Sequence, residues 1–264
     1  ANQHLEEHSD IISAMILQQK DGQSIVWSAS LNGQIIGWDT EALIPKKKIK
    51  LKHPSRTFVS FLLIGKYFWC DIKNAIMLVD STGEGDIENK LEVKNGKNTL
   101  SVDCMISVSP EQVWCCCGRQ AMIAIFNTKT FAYTLLPIQT KDTNIALTKM
   151  ALTGNEVWVG SRNGHIYALP FMKEKSVEQA KEVKVKKILK IHDDSVRSMC
   201  VISGGYVATG PGSRDGKIAI WRYEEETEQE RGFETFSGDE LRCAQKEQKK
   251  YRNGGNLNFL TVLK

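Results

Sequence analysis

Several stretches of this 264-residue chain carry residue types that could do chemistry. Cys115-Cys116-Cys117 offers three thiols in a row. Thiolates hold soft metals, but successive residues of a strand point to opposite faces, so these three cannot converge on one ion. The same alternation excludes an ordinary disulfide between neighbours. It leaves small apolar side chains packing between sheets, with oxidation sensitivity as a secondary property. Gly210–Lys217 superficially resembles a phosphate loop, yet five residues separate its glycines where four are needed. Ile218 also stands where a Ser or Thr would bind Mg²⁺. Gly83-Glu84-Gly85 has no helix behind it and is not a nucleotide site. Arg119, Arg162 and Arg214 fall in predicted turns, where a guanidinium takes a carboxylate or phosphate through paired hydrogen bonds. No metal and no cofactor is expected from any of these stretches.

The elements that position these residues recur. Val157-Trp158-Val159-Gly160 leads through Asn163-Gly164 to Ile166-Tyr167-Ala168-Leu169. This reads as a strand, a two-residue primed turn with φ > 0 at both centres, and a second strand. Equivalent hairpins run from Ile25 to Asp39, Tyr67 to Asp80, Val113 to Asn127 and Tyr206 to Arg222. Trp27, Trp69, Trp114 and Trp158 mark the first strand of four of them, at spacings of 42, 45 and 44 residues. Val207, 49 residues on, takes the fifth place. A period of about 40–45 residues with four short strands per repeat is that of a β-propeller blade. Paired-helix solenoids have a similar period but need apolar residues three and four apart, which these β-branched and aromatic runs lack.

Ser213-Arg214-Asp215-Gly216-Lys217-Ile218-Ala219-Ile220-Trp221 and Asn32-Gly33-Gln34-Ile35-Ile36-Gly37-Trp38-Asp39 carry a family resemblance. Over roughly residues 5–223 the chain resembles the WD-repeat family, in the divergent form appended to large signalling proteins such as Rho exchange factors, Roco kinases and inositol-phosphatase-like proteins. Repeats two to four depart from the pattern, with Val79-Asp80, Phe126-Asn127 and Leu169-Pro170 at the Trp-Asp place. The resemblance implies a hydrogen-bonded network of His192, Thr209, Asp215 and Trp221 in repeat five. His8, Ser28 and Trp38 repeat it in repeat one, with Asn32 at the Asp position. A His, an Asp and a hydroxyl also compose a catalytic triad, but the family's structural network gives each group a role.

The expected fold is therefore all-β: a β-propeller of four-stranded antiparallel blades over residues 1–264. Five blades are clear, with a degraded sixth or one formed jointly by both chain ends. An incomplete seven-bladed ring is the alternative. Blade four is expected to end in a strand over Val183–Ile191, preceded by a helical turn that Ser176 caps. Blade five is expected to end at Gly232–Phe236, and the strand-like 257–263 run to close against the N-terminal stub. Residues 224–253 shift from acidic to basic and read as a charged insertion, with a short helix over about 239–251.

Composition sets outer limits. Net charge is +4, from 35 basic and 31 acidic residues, too mild to imply nucleic acid. No run of 18 apolar residues exists, and the polar N-terminus is not a signal peptide. The chain starts without Met, as a piece excised from a longer chain or a processed one would. Seven cysteines, no Cys-x-x-Cys and no Asn-x-Ser/Thr point to a reducing, cytoplasmic setting. Lys46, Lys47, Lys48 and Lys50 line one outer strand, and Lys184, Lys186 and Lys187 another. Edge lysines block sheet-to-sheet pairing, while a basic patch for anionic phospholipid is the functional alternative.

The function expected is a non-enzymatic protein–protein interaction scaffold in signalling. Its partner-binding face would carry Lys73, Arg119, Arg162, Asn163 and Arg214, suited to an acidic or phosphorylated peptide. The alternatives are a regulatory or targeting domain of a larger signalling enzyme (exchange factor, kinase or phosphatase), or a propeller that associates with anionic membranes.

Overall fold

The computed structural model describes residues 6–20, 22–51, 60–72, 74–82, 88–117, 121–141, 145–172, 174–203, 205–223 and 258–263. The fold is a β-propeller of four-stranded antiparallel blades. Sheet one comprises β1 (Ile12–Lys20), β2 (Gln23–Ser30), β3 (Gln34–Asp39) and β4 (Pro45–Lys50), in that spatial order. Sheet two repeats it with β5 (Phe61–Ile64), β6 (Tyr67–Asp71), β7 (Ile76–Asp80) and β8 (Glu88–Leu91). A small hairpin, β9 (Lys94–Asn95) and β10 (Asn98–Thr99), follows.

Sheet three holds β11 (Cys104–Ser109), β12 (Gln112–Cys117), β13 (Met122–Asn127) and β14 (Tyr133–Gln139). Sheet four begins with β15 (Leu147–Thr153), β16 (Glu156–Ser161) and β17 (His165–Pro170). A one-turn helix, α1 (Glu174–Gln179), comes next. Ser176 lies within that helix and does not cap it. The strand expected over 183–191 is broken in two. β18 (Val183–Lys184) pairs in parallel with Ile138 and Gln139 of β14, while β19 (Lys187–Lys190) completes sheet four. Between them, Lys186 N–H donates to Ala168 O, which turns the chain from one sheet to the next.

Sheet five is β20 (Val196–Ile202), β21 (Tyr206–Pro211), β22 (Ile218–Arg222) and β23 (Asn258–Leu263). The C-terminal run thus pairs with β22 as the fourth strand of sheet five, and among the described residues it has no strand partner from the N-terminal stub. β22 offers an edge of unpaired backbone groups, and the 258–263 run satisfies it. The strand expected at 232–236, the 224–253 insertion and its helix lie outside the described residues.

The chain divides into two compact units, residues 1–117 with 123–135 and residues 118–122 with 136–264. In the first, Trp27, Ala29 and Ile35 of sheet one pack on Phe61, Phe68, Cys70, Met77 and Val79 of sheet two. Phe68 meets Trp27 edge-on at 4.8 Å. Gly37 opposes Trp27, and a Cβ there would lie 2.8 Å from the indole, so glycine lets the ring lie flat on β3. On the far face of sheet two, Trp69 meets Phe126 at 5.7 Å. In the second unit, Trp158 meets Trp221 at 6.0 Å in a core with Ile166, Val196, Val207 and Ala219. The repeated Trp encodes a large buried aromatic that each of Trp27, Trp69 and Trp158 turns toward the sheet that follows its own.

Register corrects one repeat assignment. Val26 opposes Trp38, Val157 opposes Leu169 and Val207 opposes Trp221. Val207 is therefore the counterpart of Val26, and Ala208 takes the place that Trp holds in the other four blades. The cysteine triplet is buried within β12, and burial pushes the Cys115 and Cys116 thiols far up and Cys117 to about 12. Among the described residues no cluster of metal-ligating side chains forms.

Candidate functional site: the turns between second and third strands

The turn at Ser161–His165 differs from the expected two-residue form. Gly164 N–H donates to Ser161 O at 3.3 Å, which centres the turn on Arg162 and Asn163. Gly164 has φ +81°, whereas the non-glycine residues with positive φ are Leu43, Ala121 and Phe131 among the described residues. Asn163 is thus not left-handed. A right-handed turn closed by one left-handed glycine is the three-residue hairpin loop. The Asn163 side chain stabilises it from within: Oδ1 accepts from Ser161 Oγ and from His165 N–H. Ser30–Gln34 repeats the design, with Asn32 Oδ1 accepting from Ser30 Oγ at 2.6 Å and Gln34 N–H at 3.0 Å.

In sheet five the corresponding loop is two residues longer. Thr209 pairs with Ala219, whereas Val159 pairs with Tyr167 and Ser28 with Ile36. The added length carries Asp215 back to the segment entering the blade. His192, Thr209, Asp215 and Trp221 come together there as a buried chain. Asp215 Oδ2 accepts from His192 Nδ1–H at 3.0 Å and from Asp193 N–H at 3.0 Å. His192 Nε2 lies 2.8 Å from Thr209 Oγ1, which also accepts from Trp221 Nε1–H at 2.9 Å. With the Nδ1 proton directed at Asp215, a neutral His192 ring accepts the Thr209 hydroxyl proton at Nε2. That assignment requires a neutral imidazole. Burial lowers the His192 pKa below 6.5, against the opposing pull of Asp215. Burial also pushes the Asp215 carboxyl upward, but the Asp193 N–H, His192 and Lys217 outweigh it and hold it below 3.8. With its hydroxyl buried and held by Trp221 on one side and His192 on the other, Thr209 is placed to hold sheet five together and not to attack a substrate.

The same segment ties two turns together. A Cβ on Gly164 would lie 2.0 Å from His192 O, so only glycine lets the sheet-four turn rest against it. The Asp194 carboxylate accepts from Ser195 N–H at 2.7 Å and Arg214 N–H at 3.3 Å. These contacts and Arg214 keep it below its usual pKa. Lys217 bridges Asp193 at 3.2 Å and Asp215 at 3.3 Å. Asp193, Asp194 and Lys217 carried no signal in the sequence beyond lying beside His192 and Asp215.

The Arg162 side chain is exposed on this framework, and the Arg214 side chain is 86% exposed while reaching Asp194 at 3.5 Å. Asn163 is exposed as well, and its side chain bonds to Ser161 and His165 of its own turn. Lys73 and Arg119 lie outside the described residues. The first basic stretch is largely paired: Lys46 with Asp39 at 2.8 Å, Lys48 with Glu7 at 2.6 Å, Lys47 with Thr82 O and Lys50 with Asn32 O. The second is divided, because Lys184 lies on β18 while Lys187 lies on β19, and Lys186 reaches Glu156 at 3.4 Å.

Likeness to known proteins supports the fold. No protein-family model matches the chain. The DENN domain-containing protein 3 of Mus musculus is 24% identical over 230 residues, which is 84% of this chain and 17% of that protein. The chain thus spans under a fifth of the curated relative it matches. The β-propeller domain of Cps50 (Swd1) from Myceliophteria thermophila superposes with a TM-score of 0.63 at 15% identity, covering 83% of this chain and 72% of that one. U3-55K gives 0.60 at 17% identity, over 83% of this chain and 63% of that one. The RRP9 WD40 repeats give 0.59 at 18%, over 83% and 62%. The architecture is that of a divergent WD-repeat β-propeller.

Proposed function

We propose that this propeller is a non-enzymatic protein–protein interaction module whose turns between second and third strands receive a protein or peptide partner. One observation supports the reading above the others. At Ser161–His165 and Gly212–Lys217 the Asn, Asp and Gly residues hold their own turns and the His192–Asp194 segment, while Arg162 and Arg214 project outward. Rigid backbone under exposed guanidinium groups is suited to binding carboxylates or phosphates. An acidic or phosphorylated peptide is the partner this favours. The WD40 fold of the solved neighbours fits a scaffold role. A cytoplasmic setting fits the six described cysteines, which are thiols.

A second reading, a regulatory or targeting domain within a larger signalling protein, draws on the mouse relative, in which the matched region is 17% of the length. The two readings are compatible. Association with anionic membranes is less favoured, because Lys46, Lys48 and Lys186 already have carboxylate partners.

The test is capture of partners from cytosolic extract by the wild-type chain and by an Arg119→Ala, Arg162→Ala, Arg214→Ala variant of matched melting temperature. Loss of a specific partner in the variant alone is the expected result. Equal recovery by both would move the site off these turns.

A further inference from the structure

Asn-Gly occurs four times in the sequence, at Asn32, Asn95, Asn163 and Asn253. The dipeptide carries a reaction of its own, because glycine leaves the following amide nitrogen open to close a ring on the asparagine side chain. That nitrogen, deprotonated, attacks the side-chain Cγ, and ammonia leaves as a succinimide forms. Water then opens the ring at either carbonyl, giving aspartate or isoaspartate. Asn253 lies outside the described residues. The other three sit in two kinds of turn.

At Asn32 and Asn163 the turn itself engages both reacting groups. Gly33 N–H donates to Ser30 O at 2.9 Å and Gly164 N–H to Ser161 O at 3.3 Å, so the attacking nitrogen is the donor that closes the turn. Each side-chain oxygen accepts two bonds, from Ser30 Oγ and Gln34 N–H in one loop and from Ser161 Oγ and His165 N–H in the other. Asn95 stands at a different place in a different turn. β9 and β10 pair Asn95 with Asn98, which leaves Gly96 and Lys97 as a two-residue connection. Gly96 has φ +60° and Lys97 is not left-handed, which is the type II′ form. The bonds of such a turn run between its flanking residues, here Asn95 and Asn98, and the N–H of the first central residue takes no part. Gly96 N–H therefore closes nothing, and among the described residues it has no backbone acceptor. The hairpin is also only two pairs long, and a two-stranded ribbon of that size opens readily.

We propose that Asn95 is a site of spontaneous deamidation, with isoaspartate among its products, and that Asn32 and Asn163 are protected by their turns. The inference rests on bonds inside each turn and does not depend on any partner at Arg162 and Arg214. Isoaspartate routes the main chain through the former side chain and lengthens it by one atom. The pairing of Asn95 with Asn98 positions Lys94, whose N–H donates to Tyr133 Oη at 2.8 Å on β14. Formation of isoaspartate at Asn95 thus uncouples this hairpin from Tyr133.

The test is incubation of the whole chain in mildly alkaline buffer. Peptide mass spectrometry follows each asparagine, and chromatography separates isoaspartate from aspartate. Asn95 should deamidate at least about tenfold faster than Asn32 or Asn163, since each of those must first give up the hydrogen bonds of its turn. In urea the three rates should draw together. Ser161→Ala, which removes one of the bonds to Asn163, should speed that residue and leave Asn95 as it was. In the isoaspartyl fraction, amide hydrogen exchange at Lys94 should quicken. Asn32 or Asn163 reacting as fast as Asn95 in the folded chain would overturn the inference. So would the same order of rates in urea, which would assign it to sequence neighbours and not to the turns. Unchanged exchange at Lys94 in the isoaspartyl fraction would refute the uncoupling from Tyr133.

Discussion

Sheets one and five contain two versions of one network, and they differ at its acid. In sheet five, Asp215 anchors His192, His192 accepts a hydrogen bond from the Thr209 hydroxyl, and that hydroxyl oxygen accepts one from the Trp221 indole. In sheet one, His8 Nε2 lies 2.6 Å from Ser28 Oγ and Trp38 Nε1–H donates to the same oxygen at 2.7 Å. Asn32 stands where the acid would be, but it turns to Ser30 and Ser9. Gln34 lies by the His8 ring instead. The difference follows from loop length. The short loop suits an Asn that closes its own turn, while the two added residues in sheet five free Asp215 to reach across to the entering segment. As a result, His192 is buried and His8 is partly exposed.

The strongest test removes the hydroxyl at the centre of each network. Thr209→Val keeps the shape but leaves the Trp221 N–H and the His192 nitrogen buried without partners. Two such groups should cost about 2–4 kcal/mol in urea unfolding. Ser28→Ala orphans the Trp38 N–H, while water can reach His8, so about 1 kcal/mol is expected. Equal losses at the two sites would show that the acid adds nothing to the sheet-five version.

Acid titration separates the two histidines next. An unfolded histidine titrates near 6.5, and burial holds His192 below that. The folded chain then binds fewer protons than the unfolded one as pH falls. Stability is full above about pH 6.5 and declines as pH drops from there toward the native His192 value, at up to ~1.4 kcal/mol per pH unit for one group. His8 is lowered too, by burial with Gln34 opposing, so its contribution has the same sign. Melting temperature between pH 7 and pH 5 should therefore fall in the wild type. His192→Gln should flatten that fall more than His8→Gln does. A separate limb lies below pH 3.8: Asp39 and Asp80 titrate near 2, held down by the Lys46 contact and the Thr82 hydroxyl respectively. Their contribution is lost as pH drops from about 3.8 toward 2.

What could be read from sequence follows the range of the forces involved. The period of Trp27, Trp69, Trp114 and Trp158 reported the blades because a buried aromatic on the second strand is a local requirement that four of the five sheets repeat, with Ala208 in its place in the fifth. The Gly-x-Ile-x-Ile-Trp run of sheet five likewise marked Asp215 and Trp221. Pairings decided by distant edges were illegible. Nothing in Val183–Ile191 says that its first two residues join β14 while Lys187–Lys190 join β17. Nothing in Asn258–Leu263 says that it crosses 35 residues to meet β22. At the turns, the exposure of Arg162 and Arg214 follows from their place in the hairpins, whereas the bond from Ser161 to Asn163 depends on a turn type that Asn-Gly alone does not specify.

The smallest effect is the most discriminating for the role of loop length. Asn32→Asp places the acid of sheet five into the short loop of sheet one. If residue type alone made the network, the new carboxylate would reach His8, raise its pKa and stabilise the chain below neutral pH. If loop length governs, the carboxylate will keep accepting from Ser30 Oγ and Gln34 N–H, as Asn32 does now. Stability at pH 7 should then change by no more than about 0.5 kcal/mol, the usual range for surface substitutions. The His8 titration followed by NMR should stay where it is. The reciprocal change, Asp215→Asn, removes charge from a buried acceptor of two hydrogen bonds and should cost about 1–2 kcal/mol. The asymmetry of that pair, near zero one way and measurable the other, is the expected signature of an acid that works only where the loop carries it to its histidine.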